Sequence, residues 1–243
     1  KMPSGVIIDC LSVFLGGIFG ALAGNFISED FKKVMNWIFG LCSMGMGISS
    51  IMLMENMPAV ILSVVLGTAL GLSIGLGRLI NSGGMSLARF VGRVFKNNNS
   101  AITKEEYIFT LVTAMVLFCA SGTGIYGCLD AGMTGDSTVL ISKTILDFFT
   151  AAIFACGLGF VVSSIAIPQF IIFSILILCS RLVMPFVTSG MTADFKACGG
   201  FLIIAIGFRI LRLIDFPVAD MILAMVIVMP LSFVWSEYIA AVL

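Results

Sequence analysis

The chain has 243 residues, of which 60% are hydrophobic and 11% are charged, whereas a typical soluble domain has about 25% charged residues. This composition excludes a water-soluble globular protein. Lysine plus arginine and aspartate plus glutamate each number 13, so the net charge is zero and the basic surface of a nucleic-acid-binding protein is missing. The chain has no histidine, which excludes hydrolases, haem proteins and metalloproteases that depend on it.

Apolar segments long enough to cross about 30 Å of hydrocarbon follow one another along the whole chain. They predict an all-α polytopic membrane protein with about eight transmembrane helices in a single transmembrane domain, residues 1–243. The predicted spans are 5–27, 34–54, 58–78, 107–129, 138–165, 168–188, 197–213 and 218–242.

The basic residues predict the orientation of these spans, because cytoplasmic loops collect Lys and Arg. Nine of them fall on one side, and only Lys1 and Lys196 fall on the other. Both termini are therefore expected to be extracytoplasmic. The nine are Lys32, Lys33, Arg78, Arg89, Arg93, Lys96, Lys104, Arg209 and Arg212.

The polar stretch between the third and fourth spans predicts an amphipathic helix at about 82–96. Its apolar residues recur at helical spacing, and Arg89, Arg93 and Lys96 form a basic stripe. Such a helix is typical of the cytoplasmic membrane interface, where it contacts lipid and sets topology. Binding of a partner protein through the same face is the alternative.

Two short stretches resemble each other and suggest an inverted three-plus-three helix repeat. Residues 28–32 and residues 192–196 each precede an apolar hairpin. The predicted topology puts the first stretch inside and the second outside, so spans one to three would correspond to spans six to eight in inverted orientation. Inverted repeats are frequent in transporters.

Small residues recur at every fourth position in the first and third spans, and such faces let helices pack closely. Packing within one chain and packing in a homo-oligomer are both open. The residues are Gly16, Gly20, Gly24, Gly67, Gly71 and Gly75.

The fifth span carries charge into the membrane. Lys143 and Asp147 are four residues apart, so they share one face of the helix and can partner each other. A charge at the centre of a span costs about 2.5 to 3.5 kcal/mol, and such residues usually face a bundle interior or a watery path. The pair is thus a candidate binding site for substrate or ion, although a purely structural ion pair is the alternative.

Further ionisable residues extend this candidate site. Asp136 precedes the fifth span, where it is expected to cap the helix and to lie at the outer mouth of a path. Arg181 lies within the sixth span and is a candidate counter-charge. Asp9, Asp130 and Asp220 lie near span ends and are expected to be interfacial.

The run from Phe118 through 127–136 to Asp147, with its Thr-Gly-Asp and Lys-x-x-x-Asp patterns, resembles the bacterial membrane family catalogued as domain of unknown function 554, the YdfK- and YqgA-like proteins. The opening of the chain is also similar, although Asn is expected where Asp9 stands. The resemblance covers nearly the whole chain. It implies a polytopic protein of the bacterial inner membrane with no assigned activity.

These observations favour a transporter or channel for a small polar solute or ion, with Asp136, Lys143, Asp147 and Arg181 as its site. The expected partners are the lipid bilayer and that solute, and no cofactor is expected. The alternative is a non-transporting membrane assembly or regulatory protein. An enzyme is not expected, because the chain lacks histidine and shows no recognisable nucleophile and base.

Overall fold

The structure is a computed structural model that describes residues 4–23, 28–80, 82–83, 85–86, 104–119 and 121–239. Within these ranges the regular secondary structure is entirely helical. The main α-helices are α1 (Ser4–Ala23), α2 (Glu29–Ile51), α3 (Met57–Ile74), α4 (Lys104–Cys119), α5 (Gly122–Thr134), α6 (Thr138–Leu158), α7 (Val161–Ser164), α8 (Ala166–Val183), α9 (Ser189–Ile210) and α10 (Val218–Val234).

Eight segments of the described chain are long and apolar enough to cross a membrane, which confirms the predicted all-α polytopic fold. Three of them combine more than one helix: the fourth runs over α4 and α5, the sixth comprises α7 and α8, and the eighth continues from α10 into a π-helix at Trp235–Ile239. The predicted amphipathic helix at 82–96 falls largely outside the described residues.

The turn between the fifth and sixth spans lies at Gly159 and not at Ile167 and Pro168, where the sequence predicted it. Gly159 has a φ of +73° and ends α6, because only glycine adopts this backbone conformation without a steric penalty. Pro168 lies in the first turn of α8, where the N–H that proline lacks would have no helical partner in any case.

The fourth span is interrupted, although the sequence predicted one continuous helix over 107–129. α4 ends at Cys119 and α5 begins at Gly122. The Ser121 side chain accepts a hydrogen bond of 3.1 Å from the Gly124 backbone N–H, so a hydroxyl caps the second helix. α5 then continues to Thr134, and Gly135 ends it with a φ of +78°.

The helices group into two compact units. The first contains α1, α4, α5, α6, α7 and most of α8, and the second contains α3, α9, α10 and most of α2. The predicted single transmembrane domain stays a prediction.

In the first unit, glycines of α1 bring this helix against the backbone of α6. A Cβ atom at Gly16 would lie 2.3 Å from the Phe148 carbonyl oxygen, and one at Gly20 would lie 2.0 Å from that of Ala152. Residue numbers rise together along the two helices, so α1 and α6 run parallel. The predicted small-residue face therefore packs within the chain, while Gly24 lies outside the described residues.

In the second unit, Gly67 and Gly71 of α3 pack in the same way against α10. A Cβ atom at Gly71 would lie 2.0 Å from the Asp220 carbonyl oxygen. Gly75 has a different role, because its φ of +67° ends α3.

Glycines also line the contact between α2 and α9. A Cβ atom at Gly47 would lie 2.6 Å from the Gly200 carbonyl oxygen, and one at Gly207 would lie 2.9 Å from that of Gly40. Residue numbers rise along α2 as they fall along α9, so the two helices are antiparallel. The helix backbones approach closely because no side chain separates them.

The helix bounds fit the predicted three-plus-three repeat but change its register. Adding 160 to the last residue of α1 gives the last residue of α8, and adding it to the first residue of α2 gives the first residue of α9. Adding 160 to the last residue of α3 gives the last residue of α10. The caps correspond as well, since Ser28 accepts from the Phe31 N–H and Thr188 accepts from the Met191 N–H.

The similarity between 28–32 and 192–196 therefore does not mark equivalent positions, because residue 192 lies one turn inside α9. The contacts agree with the corrected register. Gly40 corresponds to Gly200 and Gly47 to Gly207, and these four glycines meet crosswise as a two-fold relation requires. Equivalent helices α2 and α9 are thus paired antiparallel in the second unit.

We predict that Gly20→Ala destabilises the protein by about 1–3 kcal/mol, because the new methyl group has no room beside the α6 backbone. Gly45→Ala is the matched control, since nothing lies within 4 Å of a Cβ atom there. Thermal unfolding in detergent should show a lower midpoint for Gly20→Ala and an unchanged or higher one for Gly45→Ala. Equal midpoints for the two variants would contradict the close packing of α1 on α6.

Candidate functional site: a buried charged cluster

Four polar side chains meet inside the first unit and form what we call the charged cluster: Asp9 of α1, Lys143 and Asp147 of α6, and Gln169 of α8. Their exposed fractions are 0%, 3%, 7% and 0%, respectively. The cluster therefore lies in the interior of the protein and does not face lipid.

Lys143 is the centre of the charged cluster. Its ammonium group donates a hydrogen bond to the Asp147 carboxylate one helical turn away. Its Nζ atom also lies 3.4 Å from Oδ2 of Asp9. The Nε2 atom of Gln169 donates a 2.8 Å hydrogen bond to the same oxygen, so this carboxylate is held from two helices. One ammonium group thus bridges two carboxylates.

The backbone places these groups at depth in the membrane. Asp147 is the tenth of the 21 residues of α6, which puts it roughly 14 Å from the start of the helix at about 1.5 Å per residue. Asp9 reaches Lys143 because the glycine face of α1 lets this helix approach α6 closely. The tertiary packing of two spans, and not one helix alone, therefore completes the cluster.

Apolar side chains surround the charged cluster. The Phe173 ring centroid lies 5.6 Å from Nζ of Lys143, within the range of a cation–π contact. Phe173 also belongs to a buried apolar group that includes Val6, Cys10, Cys128 and Leu140. In such surroundings electrostatic interactions are stronger than in water, and an unpaired charge is correspondingly costly.

The charged cluster has one negative charge without a counter-ion and one amide oxygen without a hydrogen-bond donor among the described residues. Asp9 and Asp147 carry two negative charges when ionised, and Lys143 supplies one positive charge. In addition, Oε1 of Gln169 is buried and accepts no hydrogen bond from any residue that the structure describes. Buried polar atoms without a partner are rare, and each one calls for an explanation.

The structure brings Lys143 and Asp147 together, as their spacing predicted, and adds two residues that the sequence analysis did not place in the site. Asp9, which was expected to be interfacial, is completely buried against α6 and α8 and belongs to the charged cluster. Asp9 is the sixth residue of α1, so its position in the sequence suggested the membrane boundary. Gln169 follows Pro168, which the sequence analysis interpreted as a break between spans.

The other aspartates have separate environments. Asp130 is buried and accepts a hydrogen bond of 3.1 Å from Oγ1 of Thr134, and its predicted interfacial position stays a prediction. Asp220 lies half-buried in the first turn of α10 and accepts a 2.7 Å hydrogen bond from the Gly77 N–H. Its position at a helix end agrees with the prediction.

Asp136 and Arg181 are not members of the charged cluster as described. Asp136 is exposed before α6, and its Oδ1 accepts hydrogen bonds of 2.9 Å and 2.6 Å from the backbone and side chain of Thr138. This carboxylate therefore caps the helix, as predicted. Arg181 lies in the last turn of α8 and belongs to the second unit. Its predicted role as a counter-charge stays a prediction.

A second buried carboxylate, Asp194 of α9, lies in the second unit and was not singled out from the sequence. It is fully buried and accepts hydrogen bonds of 2.6–3.0 Å from the Glu55 N–H, the backbone and side chain of Asn56, and the Ser232 hydroxyl. The two backbone N–H groups directly precede α3, so Asp194 fixes the start of that helix. Its four donors indicate a structural role.

We predict that Lys143→Met destabilises the protein by about 3–5 kcal/mol, because it leaves two buried carboxylates without their cation. Asp147→Asn should cost clearly less, since Asp9 and Lys143 remain as a balanced pair. Thermal unfolding of the two variants in detergent measures the difference. A larger loss in Asp147→Asn than in Lys143→Met would contradict the charge balance described for the cluster.

Comparisons with known proteins place the chain in a family. The profile of the family described as "Protein of unknown function (DUF554)" matches residues 4–233. The uncharacterized protein YqgA of Escherichia coli (strain K12) is 41% identical over 239 residues, which cover 98% of this chain and 100% of the relative. The uncharacterized membrane protein YdfK of Bacillus subtilis (strain 168) is 24% identical over 223 residues, which cover 92% and 93% of the two chains.

No solved structure matches the chain significantly. The family match covers nearly the whole sequence, as the resemblance in the sequence analysis implied. The chain therefore belongs to the DUF554 family of membrane proteins, whose function is unknown.

Proposed function

We propose that the protein transports a small polar solute or ion across the membrane through a path that includes the charged cluster. The observation that carries this proposal is the burial of two carboxylates, one ammonium group and an amide within three membrane-spanning segments. Ionisable residues at such depth are costly and usually belong to substrate or ion pathways. A structural ion pair alone would need only one carboxylate for Lys143.

The interruption of the fourth span beside the charged cluster supports this proposal. A Cβ atom at Gly124, near the start of α5, would lie 2.6 Å from the Phe173 ring, and the centroid of this ring lies 5.6 Å from Nζ of Lys143. Irregular backbone at membrane depth is tolerated where it is buried in protein or lines a cavity. Transporter binding sites are frequently formed by such discontinuous helices.

The repeat supports it as well. Asp9 and Gln169 differ by 160, so they occupy equivalent positions in the two repeats, and their side chains are hydrogen-bonded to each other. Ser163 contacts Phe14 while Gln169 contacts Asp9, which shows that the sixth span runs antiparallel to α1. Transporters with inverted repeats hold substrates and coupling ions at the repeat interface.

The orientation and the outer parts of the path belong to the same proposal. The excess of Lys and Arg favours extracytoplasmic termini in a bacterial inner membrane. Asp136 then lies at the outer mouth, where its charge favours a cation or zwitterion over an anion. Arg181 is proposed as a counter-charge along the path.

We expect proteoliposomes that contain the protein to give an electrical current in response to a gradient of at least one solute in a panel of sodium, potassium and zwitterionic amino acids. Lys143→Met and Asp147→Asn should reduce that current to background, because they remove the charged groups of the path. Ser174→Ala is the control, since among the described residues this hydroxyl donates only to the Phe170 carbonyl oxygen of its own helix.

Full current in both Lys143→Met and Asp147→Asn would contradict the assignment of the path to the charged cluster. Absence of current in the parent, together with a stoichiometric partner protein that is lost when Arg89, Arg93 and Lys96 are changed to Gln, would favour the alternative of a non-transporting membrane assembly.

The orientation has its own test in a cysteine-free variant of the chain. We predict that a membrane-impermeant maleimide added to intact cells labels Asp136→Cys but not Asp215→Cys. With the N-terminus outside, four spans precede the loop before α6, which is then outside, and seven spans precede the loop before α10, which is then inside. Labelling after cell lysis controls for accessibility. The reverse pattern would invert the proposed orientation.

A further inference from the structure

The two uncompensated groups of the charged cluster require the same kind of partner. Its carboxylates exceed its ammonium groups by one, and Oε1 of Gln169 is an acceptor without a donor among the described residues. An anion would add to the negative charge and would leave the amide oxygen unpaired. A neutral donor would satisfy the oxygen but would leave the charge. A monovalent cation satisfies both, and so does a proton that binds one carboxylate and is donated to the amide oxygen; measured sodium binding distinguishes the two.

The charged cluster has an excess of one negative charge, and this limits the charge of the ligand. One additional positive charge neutralises Asp9, Asp147 and Lys143 together, whereas a divalent ion would leave a buried positive charge. Amide carbonyl and carboxylate oxygens are ligands suited to hard metal ions, which bind oxygen.

We propose that the charged cluster binds one alkali-metal cation, held by Oε1 of Gln169 and by carboxylate oxygens of Asp9 or Asp147, and that this cation is the coupling ion of transport. The role of the cation as coupling ion rests on the proposed transport function, whereas binding of the cation can be measured without transport.

Lys143 acts as a tethered counter-ion in this scheme. Its ammonium group contacts both carboxylates, and the contact with Asp9 is the longer one, at 3.4 Å between Nζ and Oδ2. A cation bound by Oε1 of Gln169 and by a carboxylate oxygen neutralises the negative charge that this longer contact now serves. The ammonium group keeps its shorter hydrogen bond to Asp147, so each carboxylate then has its own cation. Without the ion, the single ammonium group is shared between them.

The test is equilibrium binding of radioactive sodium to the full-length protein purified in detergent, with choline chloride holding the ionic strength constant. We expect one saturable site per chain in the parent and in Ser174→Ala, and competition by unlabelled lithium or potassium identifies the preferred ion. Gln169→Leu should weaken binding about tenfold or more, which equals 1.4 kcal/mol, because it removes the amide oxygen.

Asp9→Asn is the second variant, because it keeps the size of the side chain while removing the surplus charge. It should also lose sodium binding, and it keeps the test valid if Gln169→Leu fails to fold. Thermal unfolding gives an independent readout, since a ligand that binds the native state raises its stability. Sodium should raise the unfolding temperature of the parent above its value in choline, and at the same sodium concentration it should do so less in Gln169→Leu and not at all in Asp9→Asn.

Absence of saturable sodium, lithium or potassium binding in the parent would overturn the proposal, and so would equal affinity in the parent and both variants. Transport distinguishes this failure from that of the proposed function. Solute currents that persist in choline but disappear in Lys143→Met would leave transport intact and remove the coupling ion. Specific sodium binding without any current would leave the ion site intact and remove transport.

Discussion

The ammonium group of Lys143 imposes the strongest constraint on the first unit, because it carries a full charge in an apolar span and has to be neutralised inside the protein. The carboxylate of Asp147, on the same helix, and that of Asp9, on another helix, both form ion pairs with this ammonium group. Two carboxylates are more than one ammonium group requires. The surplus makes the charged cluster a candidate site, since a structural pair would be complete without Asp9.

The contact between Asp9 and Lys143 depends on glycine packing between α1 and α6. Because Gly16 and Gly20 have no side chains, α1 lies against the backbone of α6 and its carboxylate reaches the lysine. The same device joins α3 to α10 and α2 to α9 in the second unit. In hydrocarbon the hydrophobic effect does not drive helices together, so close van der Waals contact between small residues contributes much of the stability.

The corresponding helix bounds and caps connect this packing to the internal repeat. Equivalent helices meet antiparallel inside each unit, and Asp9 and Gln169 meet at equivalent positions. A carboxylate in one repeat thus faces an amide in the other. Because position 169 has an amide where the equivalent position 9 has a carboxylate, the two side chains can form a hydrogen bond. Two aspartates at these positions would repel each other.

Much of the architecture follows from the sequence. Runs of about 20 apolar residues that cross a membrane form α-helices, because every backbone N–H and C=O group must be paired within the segment. The eight spans, the helix cap at Asp136 and the pairing of Lys143 with Asp147 are local consequences of this rule and of helical periodicity. The glycines at every fourth position likewise indicated close packing before the partner helices were known.

The tertiary structure decided what local patterns could not. The turn at Gly159 and the interruption after Cys119 depend on single backbone conformations and caps, which hydropathy does not register. Asp9 resembled an interfacial residue because its distance from the helix start is all that the sequence gives. Its burial, and the membership of Gln169 in the charged cluster, required the packing of three separate spans. Sequence thus determined which segments cross the membrane, while only the helix contacts determined which polar groups meet inside it, because the contact between Asp9 and Gln169 joins residues 160 positions apart.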